Sequence, residues 1–235
     1  MLKYFVKKTY LDEENPYWIS FSDAISGILI IFILATVYLI YSIQQRENYL
    51  NQQLNHDITN IQHELEKEGI RVEIDKNIMR IPTNEIHFKN NEASIPLDKI
   101  YNVRKIGQKV IEYVQKDENK NIDTVFIEGH TDCNPTNRPR GNLGLSTDRA
   151  ISIAVEWEKL DVNFWNIKNK NGKPLFSVSG YGEKRPIEGT LINGCENESP
   201  ENLERNRRID IRFVVGRPKF VSMSSMEDNT NDKIF

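Results

Sequence analysis

The amino-acid sequence predicts an α/β fold in which a single N-terminal transmembrane helix is followed by an amphipathic linker helix and a βαβαββ sandwich. Three observations lead to this prediction. An uncharged apolar run extends from Ala24 to Tyr41. Apolar residues then recur at helical spacing over residues 43–65. Beyond residue 70, segments with strand patterns alternate with segments with helix patterns.

The apolar run is about long enough to cross ~30 Å of hydrocarbon at 1.5 Å per residue. Flanking residues extend the predicted transmembrane helix to 18–43, with Trp18 and Tyr41 in the headgroup layers that aromatic rings favour. The run is long and lacks a small-residue cleavage site, which favours an uncleaved anchor over a signal peptide. More lysines precede it than basic residues follow it, so residues 1–17 are predicted to be cytoplasmic and the later residues external.

Asp23 lies near the start of this predicted helix and has two interpretations. Ser20 and Asp23 fit a capping box, in which the acid satisfies free N–H groups at the helix start. Alternatively, the helix begins near Tyr17 and buries Asp23, which makes the ionised carboxylate costly and suits it to taking up and releasing a proton. Ser22 and Ser26 can then hydrogen-bond either protonation state. The residues alone leave both interpretations open.

Residues 44–69 are predicted to form an amphipathic helix that ends at Gly69. Its apolar residues form a stripe on one face: Ile43, Leu50, Leu54, Ile58, Ile61 and Leu65. An isolated amphipathic helix is marginal in water, so this stripe needs a partner. Pairing with a second copy of the chain is the simplest arrangement. The alternative is packing against the chain's own globular domain.

The remaining sequence follows a βαβαββ order with helices expected on one face of the sheet. In the last strand, Ile209, Ile211 and Phe213 alternate with polar residues, as a one-sided sheet requires. The predicted strands are Arg80–Phe88, Asp123–Glu128, Leu175–Gly180 and Arg208–Val215, and the predicted helices are Leu97–Gln115 and Ser146–Leu160.

The composition excludes several classes of function. The formal net charge is -3 and no Lys/Arg-rich run occurs, so nucleic-acid binding is not expected. The sequence has no Gly-rich phosphate loop, no His-Glu-x-x-His motif and no nucleophile elbow, so we expect neither an enzyme nor a cofactor. His56 and His63 share a helix face but lack further ligands, so no metal site is expected.

The segment Pro16–Asp23, followed by one apolar helix, resembles the MotB family of motor stator subunits. In that family a membrane aspartate carries protons or sodium ions. The Trp-x-Ser-x-Ser-Asp form, with Gly27 four residues later, is more similar to ZorB, the MotB-like subunit of Zorya antiphage systems. The resemblance implies that Asp23 translocates ions, that the chain forms a homodimer, and that it joins a polytopic membrane partner of the MotA/ZorA type.

Four ordered motifs resemble the signature of OmpA-like peptidoglycan-binding domains. They are Glu128–Asp132, Asn142–Ala150, Ser179–Glu183 and Asn206–Ile209, and the predicted domain covers residues 70–216. A cysteine directly after Gly-His-Thr-Asp and an insertion around Pro135–Arg140 depart from the family pattern. The polar tail, residues 217–235, has no family counterpart and is expected to be disordered.

The ligand implied by this resemblance is the diaminopimelate of the peptidoglycan stem, which carries an ammonium and a carboxylate on one carbon. By resemblance, Asp132 binds the ammonium, Arg149 binds the carboxylate and Asn142 shapes the loop, with Thr131 and Arg207 also lining the site. Arg149 is predicted to lie in the first turn of its helix. The alternative is an internal Asp132–Arg149 salt bridge that only organises the loop.

Cys133 lies in the loop after Asp132 and Cys195 in the long connection before Asn206, and the family topology brings both loops to one rim. The resemblance therefore implies a disulfide between them, formed in an oxidising periplasm. Taken together, the resemblances imply a peptidoglycan-anchored stator subunit of a proton-driven inner-membrane motor, of the ZorB type in antiviral defence. A flagellar MotB-type stator and a passive tether between inner membrane and cell wall are the alternatives.

Overall fold

The computed structural model describes residues 16–86, 88–116, 121–190 and 195–216. The predicted cytoplasmic segment up to residue 15 and the predicted disordered tail lie outside these residues. The chain divides into two compact units, residues 1–49 and residues 50–235. Helix α1, Pro16–Lys67, contributes to both of them.

In the first unit, α1 begins at Pro16, a residue whose fixed φ and missing N–H suit a first helical position. Ser20 is therefore already helical, and Asp23 lies about two turns inside the helix. The capping-box interpretation of Asp23 is wrong for this reason. Within the described part of the chain, this is the one helix long and apolar enough to cross a membrane, judged by length and composition. Its described side chains up to residue 49 are exposed.

The second unit contains a five-stranded sheet in the order β1-β2-β5-β3-β4. Strands β3 and β4 are parallel, and the other neighbouring pairs are antiparallel. The strands are β1 Glu73–Asp75, β2 Ile78–Ile81, β3 Ile122–Gly129, β4 Phe176–Gly180 and β5 Ile209–Val215. The helices after α1 are α2 Thr83–Ile86, α3 Ile100–Gln115, α4 Gly141–Glu158 and α5 Pro200–Asn206, and single 3-10 turns occur at Leu97–Lys99, Phe164–Asn166 and Cys195–Asn197.

The predicted α/β class is confirmed, and two of the predicted elements need correction. The strand predicted over Arg80–Phe88 ends at Ile81, because Pro82 follows and accepts a hydrogen bond from the Glu85 N–H at the start of α2. Helix α4 begins at Gly141 rather than Ser146. Arg149 therefore lies in the third turn of α4, not in the first. The short strand β1 and helix α5 were not predicted.

The apolar stripe of α1 packs into the core of its own globular unit. Leu54, Ile58, Ile61 and Leu65 are at most 7% exposed and belong to the same cluster as the buried side chains of α3 and the sheet. Beside it, Lys109 of α3 pairs with Glu64 of α1 at 2.7 Å, and Lys105 of α3 pairs at 3.1 Å with Glu68, the residue that follows α1. The four buried stripe residues are not available to a second copy, so the intramolecular alternative holds for them, whereas Ile43 is 37% exposed and Leu50 is half-buried.

Two glycines let α4 approach the sheet closely. A Cβ atom on Gly129 would lie 1.9 Å from the Ser146 carbonyl oxygen, and one on Gly180 would lie 2.2 Å from Thr147 Oγ1. Only glycine permits such distances. The Ser146 hydroxyl also accepts a hydrogen bond from the Gly182 N–H at 2.9 Å. These contacts fix α4, and hence Arg149, against the ends of β3 and β4.

The sheet face opposite the core carries charged side chains that pair with one another. Arg80 and Arg208 contact Asp210 at 3.3 and 3.0 Å, and Arg212 pairs with Glu128. Asp210 is 3% exposed because these arginines cover it. Burial raises its pKa, and the neighbouring guanidinium groups oppose that shift. The alternation predicted for the last strand therefore separates an apolar face from a covered polar one.

Candidate functional site

A cleft of about 480 Å³ opens where β3 ends and α4 begins. Its walls come from four parts of the chain: Thr83 with residues 88–91, the loop after β3, the first turns of α4, and the end of α5. The five residues predicted to bind peptidoglycan all line it, namely Thr131, Asp132, Asn142, Arg149 and Arg207. The fold thus brings together residues that are up to 76 positions apart in the sequence, counted from Thr131 to Arg207.

Asp132 is 8% exposed and both of its carboxylate oxygens accept a hydrogen bond. Oδ1 accepts from the backbone N–H of Asn134 at 3.0 Å, and Oδ2 accepts from Arg207 Nη1 at 2.7 Å. The ion pair in the cleft therefore joins Asp132 to Arg207. The alternative of an internal Asp132–Arg149 salt bridge is wrong.

Arg149 is 4% exposed and its guanidinium is held by backbone carbonyls. Nε donates to the Glu92 oxygen at 3.0 Å, Nη2 donates to the Lys89 oxygen at 3.3 Å, and the group lies 5.0 Å from the centre of the Phe88 ring. Burial lowers the Arg149 pKa to about 10, although the charge of Asp132 opposes this shift. Among the described residues, no carboxylate comes within 4.0 Å of the guanidinium. A buried cation without a paired anion is costly, so this position suits an anionic ligand group.

Asn142 lies in the first turn of α4 and ties it to the loop after β3. Its Nδ2 donates to the Asn134 oxygen at 3.0 Å and to the Asp132 oxygen at 3.4 Å. Thr131 is 4% exposed and its N–H donates to the Gly182 oxygen at 3.1 Å. The Thr131 hydroxyl is buried without a hydrogen-bond partner among the described residues.

Cys133 and Cys195 form a disulfide in this structure. It joins the loop that follows Asp132 to the 3-10 turn that precedes α5, across a sequence separation of 62 residues. The pairing is the one that the resemblance implied.

Several residues that shape the cleft were not predicted. The carbonyls of Lys89 and Glu92 hold Arg149, and backbone acceptors leave no signature in a sequence. Asn206 is fully buried; its Oδ1 accepts from the Ile187 N–H at 2.8 Å and its Nδ2 donates to Thr190 Oγ1 at 2.9 Å. It therefore fixes the end of α5, from which Arg207 extends. The sequence did offer a signal for Asn206, because it lies directly before two arginines in the motif Asn206–Ile209.

Asp23, Ser22 and Ser26 lie in the first unit, on the exposed surface of α1. The described residues contain no group of three or more His, Cys, Asp or Glu side chains arranged to hold a metal ion.

The sequence profile of the OmpA family matches residues 87–193. The matched segment lies in the second unit, which is an OmpA-like domain. The match includes Thr131, Asp132, Asn142 and Arg149. It ends before Cys195 and Arg207, so the wall of the cleft formed by the end of α5 lies beyond it. No curated protein sequence matches the chain.

Solved structures with a similar fold include a putative MotB like protein from Desulfovibrio vulgaris. It is 18% identical with a TM-score of 0.51, and the match covers 75% of this chain and 97% of that one. The periplasmic domain of Helicobacter pylori MotB (residues 78–256) is 23% identical with a TM-score of 0.47, covering 68% and 91% of the two chains. The cell wall anchor of the T6SS from Pseudomonas aeruginosa is 19% identical with a TM-score of 0.48, covering 66% and 95%. The first of these likenesses supports the fold of the OmpA-like domain.

Proposed function

We propose that the OmpA-like domain binds peptidoglycan in this cleft and anchors an inner-membrane protein to the cell wall. The observation that carries the proposal is the buried guanidinium of Arg149, which shares the cleft with the buried carboxylate of Asp132 but has no carboxylate within 4.0 Å among the described residues. A diaminopimelate residue presents an ammonium and a carboxylate on one carbon. Asp132 accepts the ammonium, and Arg149 donates to the carboxylate.

Both side chains retain capacity for a ligand. A carboxylate has about four lone-pair sites, and two of those of Asp132 are in use, so an ammonium binds without displacing Arg207. A guanidinium has five N–H donors, and Arg149 uses one on Nε and one on Nη2 for backbone carbonyls. Its Nη1 remains for the ligand.

The test is co-sedimentation of the detergent-solubilised full chain with purified sacculi. Asp132→Ala and Arg149→Ala are each expected to weaken binding by at least about tenfold, because each removes one half of a charge-paired contact and strands the other. Arg104→Ala is the matched control, since it removes a half-exposed arginine that pairs with Glu156 outside the cleft. Full binding by both cleft variants contradicts the proposal.

We further propose that the chain is the ion-driven stator subunit of a motor complex, of the ZorB type in antiphage defence. Support comes from the sequence Pro16–Asp23 and from the start of α1 at Pro16, which sets Asp23 inside an apolar helix. In this proposal two copies of the chain join a polytopic partner of the MotA/ZorA type in the inner membrane. A proton that moves down the membrane potential through Asp23 releases ~2.3 kcal/mol per 100 mV, and the wall anchor holds the complex against the resulting force.

Asp23→Asn separates this proposal from a passive tether. The substitution keeps size and hydrogen bonding but removes titration, so phage protection, or motility for a flagellar stator, should be lost while membrane levels of the protein are kept. Asp23→Glu retains a titratable group and should preserve part of the activity. Wild-type activity of Asp23→Asn at normal levels contradicts the stator proposal and leaves the tether.

A further inference from the structure

The Cys133–Cys195 disulfide connects the loop after β3 to the segment that leads into α5, and both of these contribute walls to the cleft. Cys133 directly follows Asp132, and the loop continues into Asn134, whose N–H donates to the Asp132 carboxylate. Cys195 begins the segment that leads through α5 to Arg207, whose guanidinium pairs with the same carboxylate. The disulfide and the ion pair thus join the same two segments, one covalently and one electrostatically.

The ion pair alone is a weak tie. The Arg207 side chain is 37% exposed, and ion pairs with an exposed partner are screened by solvent and salt. The covalent bond is therefore a second tie between the Asp132 loop and the segment that leads to Arg207, and solvent and salt do not screen it.

The far end of the loop is attached independently. Arg138 Nη2 contacts Asp148 Oδ2 at 2.6 Å, and Nη1 donates to the Asn91 oxygen at 3.1 Å. Opening the disulfide therefore removes the covalent tie of residues 133–136, which lie between Asp132 and this attachment, while the hydrogen bond from Asn142 to the Asn134 oxygen and the Arg138 contacts keep the loop tied to α4. Asn134, Pro135 and Thr136 in this part of the loop all line the cleft.

We infer that Cys133 and Cys195 are positioning residues of the ligand cleft, and that reduction of their disulfide weakens wall binding without unfolding the domain. This inference rests on the proposed peptidoglycan-binding function. The fold persists because both cysteines lie outside the buried apolar cluster of α1, α3, α4 and the sheet. The end of α5 also keeps its own attachments through Asn206. Both cysteines are partly exposed, so a dithiol reductant reaches the bond. It supplies two electrons and two protons, which convert the Cys133–Cys195 disulfide into two thiols, and is itself oxidised to a disulfide.

The test uses the detergent-solubilised full chain and purified sacculi. Wild-type protein is assayed oxidised, after reduction, and after reoxidation, alongside the double variant Cys133→Ser/Cys195→Ser, with circular dichroism at the assay temperature. We expect reduction and the double variant each to weaken binding by roughly threefold to tenfold with the fold retained, since binding then bears the free-energy cost of ordering a loop that has lost its covalent tie. Reoxidation should restore binding in the wild-type protein and have no effect on the variant.

A double-mutant cycle with Arg207→Gln tests the mechanism. If the disulfide acts by holding Arg207 to Asp132, reduction costs less affinity in the Arg207→Gln background than in the wild type. Equal binding by oxidised and reduced protein overturns the inference while leaving the proposed function intact. Loss of folded structure on reduction also overturns it, because the bond then supports the whole domain. Failure of the oxidised wild-type protein to bind sacculi removes the proposed function itself.

Discussion

Arg207 donates to Asp132 across 2.7 Å, whereas Arg149 has no carboxylate within 4.0 Å among the described residues. The two arginines of the cleft therefore have different roles. Arg207 is half exposed and already neutralised by Asp132, and Arg149 is buried and held by the carbonyls of Lys89 and Glu92. The charge available to an anion is that of Arg149.

The first prediction concerns Arg207. Arg207→Gln should weaken sacculus binding by no more than about fivefold, because partly exposed ion pairs contribute about 0–1 kcal/mol. Arg149→Ala should cost substantially more in the same sedimentation assay. Arg205→Gln is the control, since it removes an exposed arginine two residues earlier. If Arg207→Gln is as damaging as Arg149→Ala, the main carboxylate ligand has been assigned to the wrong arginine.

The second prediction concerns the buried stripe of α1. Leu65 is fully buried in the globular unit, so Leu65→Ala should lower the free energy of unfolding by about 2–5 kcal/mol. The neighbouring Glu66→Ala changes an exposed side chain and should stay within about 0.5 kcal/mol of the wild type. Urea unfolding of the full chain measures both. Unchanged stability of Leu65→Ala, accompanied by weaker self-association, would restore the dimer interpretation of this stripe.

The third prediction concerns His130, which is 2% exposed and stacks on the Tyr181 ring at 5.5 Å. Burial lowers the His130 pKa to about 2, assisted by the charges of Arg208, Arg185 and Arg80. Its Nε2 lies 3.4 Å from Asp210 Oδ2, but the geometry does not form a hydrogen bond. The folded protein thus keeps this ring neutral below pH 6.5, where the unfolded chain protonates it.

The stability contributed by neutral His130 is therefore complete above pH 6.5 and is lost as the pH falls below it, by up to about 1.4 kcal/mol per pH unit. His130→Phe replaces the imidazole with another aromatic ring that cannot be protonated, and it loses no hydrogen bond, since both ring nitrogens lack a partner among the described residues. Urea unfolding at pH 7 and pH 5 should show that the free energy of unfolding decreases less between these pH values for His130→Phe than for the wild type. If the free energy of unfolding decreases equally in His130→Phe and the wild type, His130 becomes protonated in the folded state.

The sequence predicted the elements that have strong local patterns. Strands β3, β4 and β5 were placed to within one residue, because buried aliphatic and aromatic side chains mark them. The start of α4 was missed because Arg140, at a left-handed φ of 65°, provides no side-chain cap. A helix start without Ser, Thr, Asp or Asn carries no start signal.

The residues that line the cleft were predictable from motifs, but which of them form the ion pair was not. The motifs named Asp132, Arg149 and Arg207, and nothing in their order says which arginine contacts the acid. That choice depends on the three-dimensional positions of α5 and of the loop after β3. The intramolecular packing of the α1 stripe was equally open, because an apolar helix face fits a second copy and the chain's own core alike.

Calorimetry with matched stem peptides tests most directly whether the cleft binds both the ammonium and the carboxylate of diaminopimelate. The detergent-solubilised full chain is titrated with a tripeptide that ends in diaminopimelate and with one that ends in lysine, which lacks the second carboxylate. Because Arg149 donates to that carboxylate, the diaminopimelate peptide should bind at least about tenfold more tightly, and Arg149→Ala should abolish the difference. Equal affinity of the wild-type protein for the two peptides would contradict the account.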